Sequence, residues 1–174
     1  MNRHVEDCFA DSIDYHKVKR NGEDFELIIT KDTDSNTQKK KIKSRPSQPF
    51  NLGDYIDWNG QIWLVTLLDT DDKTYHSGYM YLCTILLRYQ NSKGELVERW
   101  SYAEDYTKYS IGETGNSTII VGDYQSGITV PSDEEMKKLK SGPRFVIDYD
   151  GNYPPDVFRL TNREANLSDA NYFN

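Results

Sequence analysis

The stretch Phe50–Leu68, FNLGDYIDWNGQIWLVTLL, decides the fold, because it contains a turn and both strands of a β-hairpin. Asn59 and Gly60 suit the two central positions of a type I′ turn, where Asn tolerates a positive φ and Gly adopts it freely. Trp58 and Trp63 flank the turn with aromatic side chains that favour a twisted, pleated surface. We therefore predict Trp58, Asn59, Gly60 and Trp63 to be structural anchors of this hairpin.

Further strand and turn signals on both sides of the hairpin predict a mainly β chain. Asn21-Gly22 and residues 91–94 are turn signals between runs of alternating apolar and polar residues. Region 46–110 is predicted to be a meander of about five strands that closes into a small antiparallel barrel, SH3-like or OB-like. Outside the hairpin, the predicted strands are Phe25–Thr30, Lys39–Ser44, Tyr79–Gln90 (the longest), Glu95–Tyr102, Ser117–Val121, Gly127–Val130, Arg144–Asp148 and Val157–Thr161.

The fold class expected for the whole chain is mainly β, a small barrel with an extra β segment, one short helix and extended arms. Ser132 and Glu135 form a capping box at the start of the helix, and Gly142 follows its end. The expected parts are an N-terminal arm (1–20), a β-barrel core (21–112) with a polar loop (31–38), a second β segment (113–161) with a short helix (133–140), and a C-terminal arm (162–174).

The charge of the chain bears on its partners. A formal net charge of −7 argues against an ordinary nucleic-acid binder, whose affinity depends on Lys and Arg contacts to phosphates. The one basic concentration, Lys39–Arg45, is either a phosphate or partner contact, or an edge strand whose lysines prevent edge-to-edge pairing. We favour the edge strand. Acidic groups are spread along the chain, which is compatible with a surface that lets DNA slide past.

Hydropathy and cysteine usage indicate a protein made in a cytosol. No apolar run approaches the ~20 residues that span a bilayer, and the first residues lack the apolar region of a signal peptide. We expect no membrane partner. Cys8 lies in a polar segment and Cys83 in an apolar strand, far apart in sequence, so we expect two free thiols.

The sequence contains no complete metal, cofactor or catalytic motif. Two acidic turns resemble the start of a calcium loop, but both lack the Gly and Glu that complete one. Cys8 with His16 and Cys83 with His76 are conceivable nucleophile pairs, but neither cysteine lies in a strand-to-helix elbow. We therefore expect no enzyme, no cofactor and no metal. The acidic turns contain Asp69, Asp71 and Asp72 in one case, and Asp148, Asp150 and Asp156 in the other.

Aromatic residues leave a binding function open. The thirteen tyrosines serve either protein interfaces, where tyrosine is enriched, or ordinary cross-strand pairs. Trp58, Trp63 and Trp100, together with the tyrosines, provide possible stacking platforms for a ligand such as a carbohydrate. A ligand-binding β-barrel module is therefore an alternative to a purely structural protein.

Three segments carry a resemblance to a known family: RPSQPFNLGDYIDWNGQIWLVT, DDKTYHSGYMYLCTILLRYQNSKGELVERW and GITVPSDEEMKKLKSGPRFVIDYDGNYPPDVFRLT. They resemble small neck proteins in the virions of tailed phages and prophages of Gram-positive bacteria. The resemblance extends over about Asn21–Thr161, and its most specific sequence motifs are GDYIxWxGxxWLV and VPxDxxxKKLKxxxRFxID. Neither motif is catalytic.

The resemblance implies a head-closure or head-to-tail connector protein. Such a protein forms a ring homo-oligomer, twelvefold or sixfold, below the portal or adaptor protein and meets tail-terminator or tail-tube proteins. Packaged DNA passes its lumen without sequence-specific binding, and the ring helps to retain it. The expected location is the virion neck, after synthesis in the host cytoplasm. A minor tail protein of the same virion is an alternative that differs in position.

Two polar segments are candidate assembly loops of such a ring. Lys31–Gln38 and Lys73–Gly78 are hairpin-like and lack core anchors in the sequence pattern, so we expect them to face the lumen or a neighbouring subunit. Deleting either loop is expected to impair genome retention or tail joining and to leave stability nearly unchanged. The candidate residues are Asp32, Asp34, Asn36, Gln38, Lys73, Tyr75 and His76.

Overall fold

The computed structural model describes residues 8–32, 38–72, 74–91, 93–104, 127–132, 136–137, 144–147 and 156–159. Residues 8–10 and 136–137 are helical, and within the described residues no helix is long and apolar enough to cross a membrane. The strands are β1 (Tyr15–Arg20), β2 (Glu23–Lys31), β3 (Lys39–Ser44), β4 (Tyr55–Trp58), β5 (Gln61–Asp69), β6 (His76–Leu82), β7 (Ile85–Gln90), β8 (Leu96–Glu104), β9 (Gly127–Thr129), β10 (Arg144–Ile147) and β11 (Asp156–Arg159).

Strands β1–β6 form a closed antiparallel barrel in the order β1-β2-β3-β6-β5-β4, with β4 hydrogen-bonded back to β1. Two three-stranded meanders, β1-β2-β3 and β4-β5-β6, are thus joined along two seams. The β3–β6 seam pairs six residues of each strand, whereas the β1–β4 seam pairs only Lys19 with Asp57 and Arg20 with Ile56. The predicted mainly β class and small antiparallel barrel are confirmed, but the prediction that region 46–110 closes into the barrel is wrong. The barrel is built from residues 15–82, because β1–β3 complete its wall and the strands after Leu82 pair in the second sheet.

Two Asn-Gly turns occur where the sequence predicts them. Asn21 and Gly22 join β1 to β2 with φ angles of 51° and 91°, and Asn59 and Gly60 join β4 to β5 with φ angles of 54° and 71°. All four residues therefore adopt the left-handed backbone that a type I′ turn requires. The hairpin predicted from Phe50–Leu68 is confirmed in its turn and in its pairing.

The side chain of Asn21 also strengthens the short β1–β4 seam. Its Nδ2 donates to Asp54 Oδ1 at 2.8 Å, and its Oδ1 accepts from the backbone N–H of Tyr55 at 2.8 Å. The Asn21 N–H in turn donates to the Tyr55 carbonyl at 2.9 Å. The hairpin turn between β1 and β2 is thus fixed to the start of β4.

The barrel interior holds the larger hydrophobic core, because alternate residues of each strand point inward. At Gly78 the strands leave no room for a side chain: a Cβ there would lie 2.5 Å from the Leu67 carbonyl oxygen and 2.9 Å from Phe50 Cε2. A bulge between Val65 and Leu67 shifts the β5–β6 register beside this point. The buried core residues are Val18, Phe25, Leu27, Ile29, Ile42, Phe50, Ile56, Trp63, Val65 and Met80.

Strands β7–β11 form a second antiparallel sheet in the order β11-β10-β7-β8-β9. One face packs a smaller core around Leu87, Tyr89 and Phe145. Leu96 and Trp100 on β8 are exposed by 69% and 42%. The second sheet therefore presents apolar surface as well as its own core.

The chain passes from the barrel to the second sheet at Cys83 and Thr84. The Cys83 N–H donates to the carbonyl of Ile62 in the barrel at 2.9 Å, and the next N–H, of Thr84, donates to the carbonyl of Ser101 in β8 at 3.0 Å. The predicted single strand Tyr79–Gln90 is therefore wrong, because consecutive residues bond to different sheets. The change of sheet also lies inside the expected core unit 21–112.

The N-terminal segment is more ordered than an arm. β1 begins at Tyr15 and forms barrel wall, although YHKVKR contains one buried residue, Val18. Phe9 is fully buried, with its ring centroid 6.1 Å from that of Tyr15 and 5.8 Å from that of Tyr75. The expectation of an arm over 1–20 is therefore wrong for residues 8–20. A barrel strand needs apolar side chains only on its inward face, so a mostly polar segment can form one.

The C-terminal half is described in part. Strands β9, β10 and β11 confirm the strands predicted at Gly127–Val130, Arg144–Asp148 and Val157–Thr161. Within the predicted helix 133–140, residues 136–137 are described and are helical. The predicted strand Ser117–Val121, the rest of the helix and the arm 162–174 lie outside the described residues.

Candidate functional site

The outer face of β3 carries a row of ion pairs. Alternation along the strand points every second lysine outward, while Ile42 and Ser44 are fully buried. Three pairs form what is called the β3 ladder below: Lys39–Asp32 (Nζ to Oδ2 2.7 Å), Lys41–Asp69 (3.3 Å) and Lys43–Asp72 (2.9 Å).

Tyrosine rings follow the same ladder. Lys39 Nζ lies 4.4 Å from the ring centroid of Tyr79, and Lys41 Nζ lies 5.6 Å from the same centroid. Lys43 Nζ lies 5.6 Å from the ring of Tyr75. These distances permit cation–π attraction in addition to the ion pairs. The hydrogen bond to Asp32 raises the pKa of Lys39 against the effect of burial, and the bond to Asp69 does the same for Lys41.

The structure corrects the interpretation of the basic run Lys39–Arg45. β3 is paired on both sides, with β2 and with β6, so its lysines do not protect a sheet edge. The ladder lysines are held by carboxylates, and Arg45 pairs with Glu26. A phosphate would have to displace these partners to be bound. The outer face of β3 is therefore a neutralised surface of lysine, carboxylate and tyrosine.

The acidic turn after β5 provides carboxylates that pair with lysines of the β3 ladder. Asp69 and Asp72 are engaged by lysines, and Asp72 Oδ1 also accepts from the N–H groups of Thr74 and Tyr75 at 3.0 and 3.1 Å. Burial opposes ionisation of Asp72, but the bonds from Lys43 and these amides outweigh it and lower its pKa. No group of three or more His, Cys, Asp or Glu that could hold a metal occurs among the described residues. Asp148 and Asp150 lie outside them.

The two predicted assembly loops lie at opposite ends of the β3–β6 pair. Asp32 is bonded to Lys39, and the Gln38 carbonyl accepts from the Leu82 N–H at 2.9 Å. His76 begins β6 at the other end, where it pairs with Ser44. The structure therefore does not bring the described residues of the two loops together. Asp34, Asn36 and Lys73 lie outside the described residues.

The segment Lys73–Gly78 is anchored, so the prediction that it lacks core anchors is wrong. Ser77 and Gly78 are buried within β6, and Tyr75 packs on Phe9. The His76 ring Nε2 lies 3.2 Å from the Pro46 carbonyl oxygen. Deleting this segment would remove part of the barrel wall.

The conceivable cysteine–histidine pairs gain no support from their surroundings. His76 begins β6 and Cys83 follows its end, so the length of the strand separates them. Burial raises the pKa of the Cys83 thiol to about 12, which disfavours a nucleophilic thiolate. Cys8 is exposed, and the His16 ring packs on Trp58. Both cysteines are free, as predicted.

Barrel closure assembles a cluster that the sequence pattern did not show. The ring centroids of His16 and Trp58 are 5.2 Å apart, and those of Trp58 and Trp63 are 5.6 Å apart. Lys40 Nζ lies 6.0 Å from the Trp63 ring. We call this cluster of His16, Lys40, Trp58 and Trp63 the Trp end of the barrel. Asn59 and Gly60 form the turn beside it.

Trp100 is separate from the Trp end. It lines a pocket of about 450 Å³ between β8 and the outer wall of the barrel, where the Tyr55 hydroxyl donates to the Trp100 carbonyl at 2.7 Å. Trp63 is 2% exposed, so the expected stacking platform of three tryptophans is wrong. The pocket is lined by Lys19, Asn21, Gly22, Tyr55, Asp57, Ile62 and Trp100.

Comparison with protein families concerns the barrel. Residues 4–82 match the model of the YomX N-terminal domain. The matched range ends at Leu82, the last residue of β6, so it ends where the YomX-like barrel ends and the second sheet begins. YomX is a phage-like protein of the SPβ prophage. No curated protein and no solved structure matches the chain.

Proposed function

We propose that this chain is a structural protein of a tailed-phage virion, a head-closure or head-to-tail connector. It forms a ring between the portal and the tail and helps to retain packaged DNA. The proposal includes location at the virion neck, synthesis in the host cytoplasm, and contacts with a portal or adaptor protein and with tail proteins.

The observation that carries the proposal is the match of the barrel to the YomX N-terminal domain. YomX is a phage-like protein, and the match covers all six strands that close the barrel. The similarity is therefore to a complete structural unit. The sequence resemblance to phage neck proteins supports the proposed position within the virion.

The surfaces of the two sheets are compatible with a ring subunit. The barrel is closed and offers no strand edge, whereas the second sheet ends in β9 and β11 and exposes Leu96, Trp100 and Val157. A ring requires a heterologous contact, in which one face of a subunit meets a different face of its neighbour. The exposed apolar residues of the second sheet suit one side of such a contact.

The charge distribution is compatible with passage of DNA. The net charge is −7, and the lysines of the β3 ladder are already paired with carboxylates. Phosphate binding depends on cations that exchange their counterions for DNA. A lumen lined by such a surface would hold DNA weakly.

The test is a nonsense mutation of the gene in an inducible prophage, with complementation by the wild-type chain as the control. We expect particles without the chain to have heads that lose their DNA and tails that remain unattached, as seen by electron microscopy. Immunogold labelling of wild-type particles should mark the head–tail junction. Normal tailed particles in the mutant would contradict the proposal. DNA-filled heads with defective tails would favour the minor tail protein.

The pocket beside Trp100 favours a second candidate, a ligand-binding module. The Trp100 side chain is partly exposed and lines a largely apolar recess, which is suited to stacking on a sugar ring. Titration of the protein with mono- and oligosaccharides, followed by tryptophan fluorescence, tests this candidate. Binding that Trp100→Phe weakens would support it, and an unchanged spectrum at saturating sugar would exclude it.

A further inference from the structure

We infer that the Trp end of the barrel is a binding site for a carboxylate group. The proposal rests on three features of His16, Lys40, Trp58 and Trp63: indole donors without an acceptor among the described residues, a lysine without an acidic partner among them, and the position of all four side chains at one end of the barrel. It does not depend on the phage role.

Two buried donors at this end have no acceptor within the described part of the chain. The indole Nε1 atoms of Trp58 and Trp63 are both inaccessible to solvent and have no hydrogen-bond partner among the described residues. Trp63 as a whole is 2% exposed. A buried indole N–H normally finds an acceptor, because leaving it unpaired costs free energy. Two such groups on adjacent rings point to an acceptor that is supplied from outside.

Lys40 differs from the other lysines of β3. Lys39, Lys41 and Lys43 each bind a carboxylate on the outer face, whereas Lys40 points to the opposite face and forms no ion pair with any described residue. Its register partner on β2 is Lys31, which also lacks an ion pair within the described part of the chain. Within the described residues, neither lysine of this register pair is therefore neutralised by a carboxylate.

The donor set selects the chemical class of the ligand. His16, Lys40 and the two indoles can donate hydrogen bonds, and neither indole N–H bonds to Asp14, which lies two residues before His16 and outside β1. A carboxylate is planar and accepts on both oxygens, so it can bond to both indoles while its charge meets the Lys40 ammonium. Lys40 lies over the Trp63 ring, and its flexible side chain can move aside to admit the ligand.

The experiment measures the indole ¹H–¹⁵N resonances of the full chain during titration. The probes are acetate, as a small carboxylate, and N-acetyl-L-glutamate, as a model of an acidic side chain. Their neutral counterparts are acetamide and N-acetyl-L-glutamine. Trp58→Phe and Trp100→Phe assign the three resonances. We expect saturable downfield shifts of the Trp58 and Trp63 signals with the carboxylates only. Tighter binding of the glutamate probe than of acetate would identify an acidic side chain as the ligand.

Matched variants of neighbouring lysines test the role of the cation. Lys40→Gln is expected to weaken binding about tenfold, the loss of one charge-assisted hydrogen bond, whereas Lys41→Gln is expected to leave binding unchanged. Thermal unfolding of each variant verifies that it is folded. Absence of saturable shifts, equal shifts with the neutral probes, or equal effects of the two lysine variants would each overturn the proposal.

Discussion

Among single residues, Gly78 has the clearest structural constraint, because the barrel wall leaves no space for a Cβ at this position. Gly78→Ala would force the Leu67 carbonyl or the Phe50 ring to move. We expect the free energy of unfolding to fall by about 2 kcal/mol, the usual cost of overpacking. Urea denaturation measures this change.

Ser77→Ala is the control for Gly78→Ala. Ser77 is the preceding residue and is 2% exposed, and its hydroxyl has no hydrogen-bond partner among the described residues. Removing an unpaired buried hydroxyl should change stability by less than about 1 kcal/mol. Equal losses in the two variants would contradict the steric explanation.

Cys83 makes stability depend on pH in the alkaline range. Burial raises the pKa of its thiol from 9.0 to about 12 in the folded protein. The unfolded chain therefore releases this proton first as pH rises, so the contribution to stability is complete below pH 9 and is lost towards pH 12.

Cys83→Ala isolates this contribution. As the pH rises above 9, the unfolding free energy of the wild type should fall relative to that of Cys83→Ala. Cys8 is exposed and is present in both proteins, so it cancels. Urea denaturation from pH 7 to the highest pH at which both proteins are folded provides the measurement. A constant difference would contradict the raised pKa.

Among the elements, the short β1–β4 seam is reinforced by the side chain of Asn21. Asn21 and Asn59 have the same left-handed conformation, but only Asn21 bonds to another strand, through Asp54 and Tyr55. Glycine keeps the backbone conformation and removes the side chain. We expect Asn21→Gly to destabilise the barrel by about 1–2 kcal/mol and Asn59→Gly to have little effect.

Hydrogen exchange locates the effect of Asn21→Gly. The amide of Tyr55, which donates to Asn21 Oδ1, should lose protection more than amides of the longer β3–β6 seam. Similar exchange at both seams would show that the substitution acts on the whole barrel. If Asn21→Gly and Asn59→Gly were equally stable, the conclusion that the Asn21 side-chain bonds strengthen the β1–β4 seam would be wrong.

The elements that the sequence predicts are those with local signals. The turns at Asn21-Gly22 and Asn59-Gly60 follow from residue types that accept positive φ. β1 was missed because its outward residues are polar and Val18 is its one buried residue. The break at Cys83-Thr84 was missed because it contains neither Gly nor Pro. It arises from hydrogen bonds to Ile62 and Ser101, which are distant in sequence.

For the whole molecule, we predict that residues 1–83 fold without the second sheet. The buried residues of the larger core lie between Val18 and Met80, and both seams close before Cys83. A fragment of this size can bury enough apolar surface to be stable. We expect dispersed NMR signals and a cooperative thermal transition. The fragment 1–69, which lacks β6 and therefore the β3–β6 seam, is the control and should be unfolded.

An unfolded 1–83 fragment would mean that contacts with the second sheet hold the barrel together. Two such contacts are candidates: the Tyr55 hydroxyl on the Trp100 carbonyl, and the rings of Tyr81 and Tyr102 at 4.6 Å. Tyr55→Phe in the full chain tests whether the barrel is stable by itself or is held together by its contacts with the second sheet. It should cost about 1 kcal/mol if the bond adds to an independently stable barrel.

The candidate site was less predictable than the fold. Trp58 and Trp63 were recognised as hairpin anchors, but His16 and Lys40 had no sequence signal, because each is brought to the indoles by closure of the barrel. The pairing of the β3 lysines was equally hidden, since their carboxylates come from the ends of β2 and β5 and the turn beyond β5. Such contacts depend on strand order, which periodicity does not specify.

The change of sheet at Cys83 and Thr84 marks a point at which related genes can recombine without disrupting the barrel. One short piece of chain joins a barrel whose six strands pair only with one another to the sheet that follows it. Recombination at this point can exchange everything downstream and leave the six strands intact. Related genomes should therefore combine similar barrels with dissimilar C-terminal halves, and a comparison of such genes would show sequence similarity ending near codon 83.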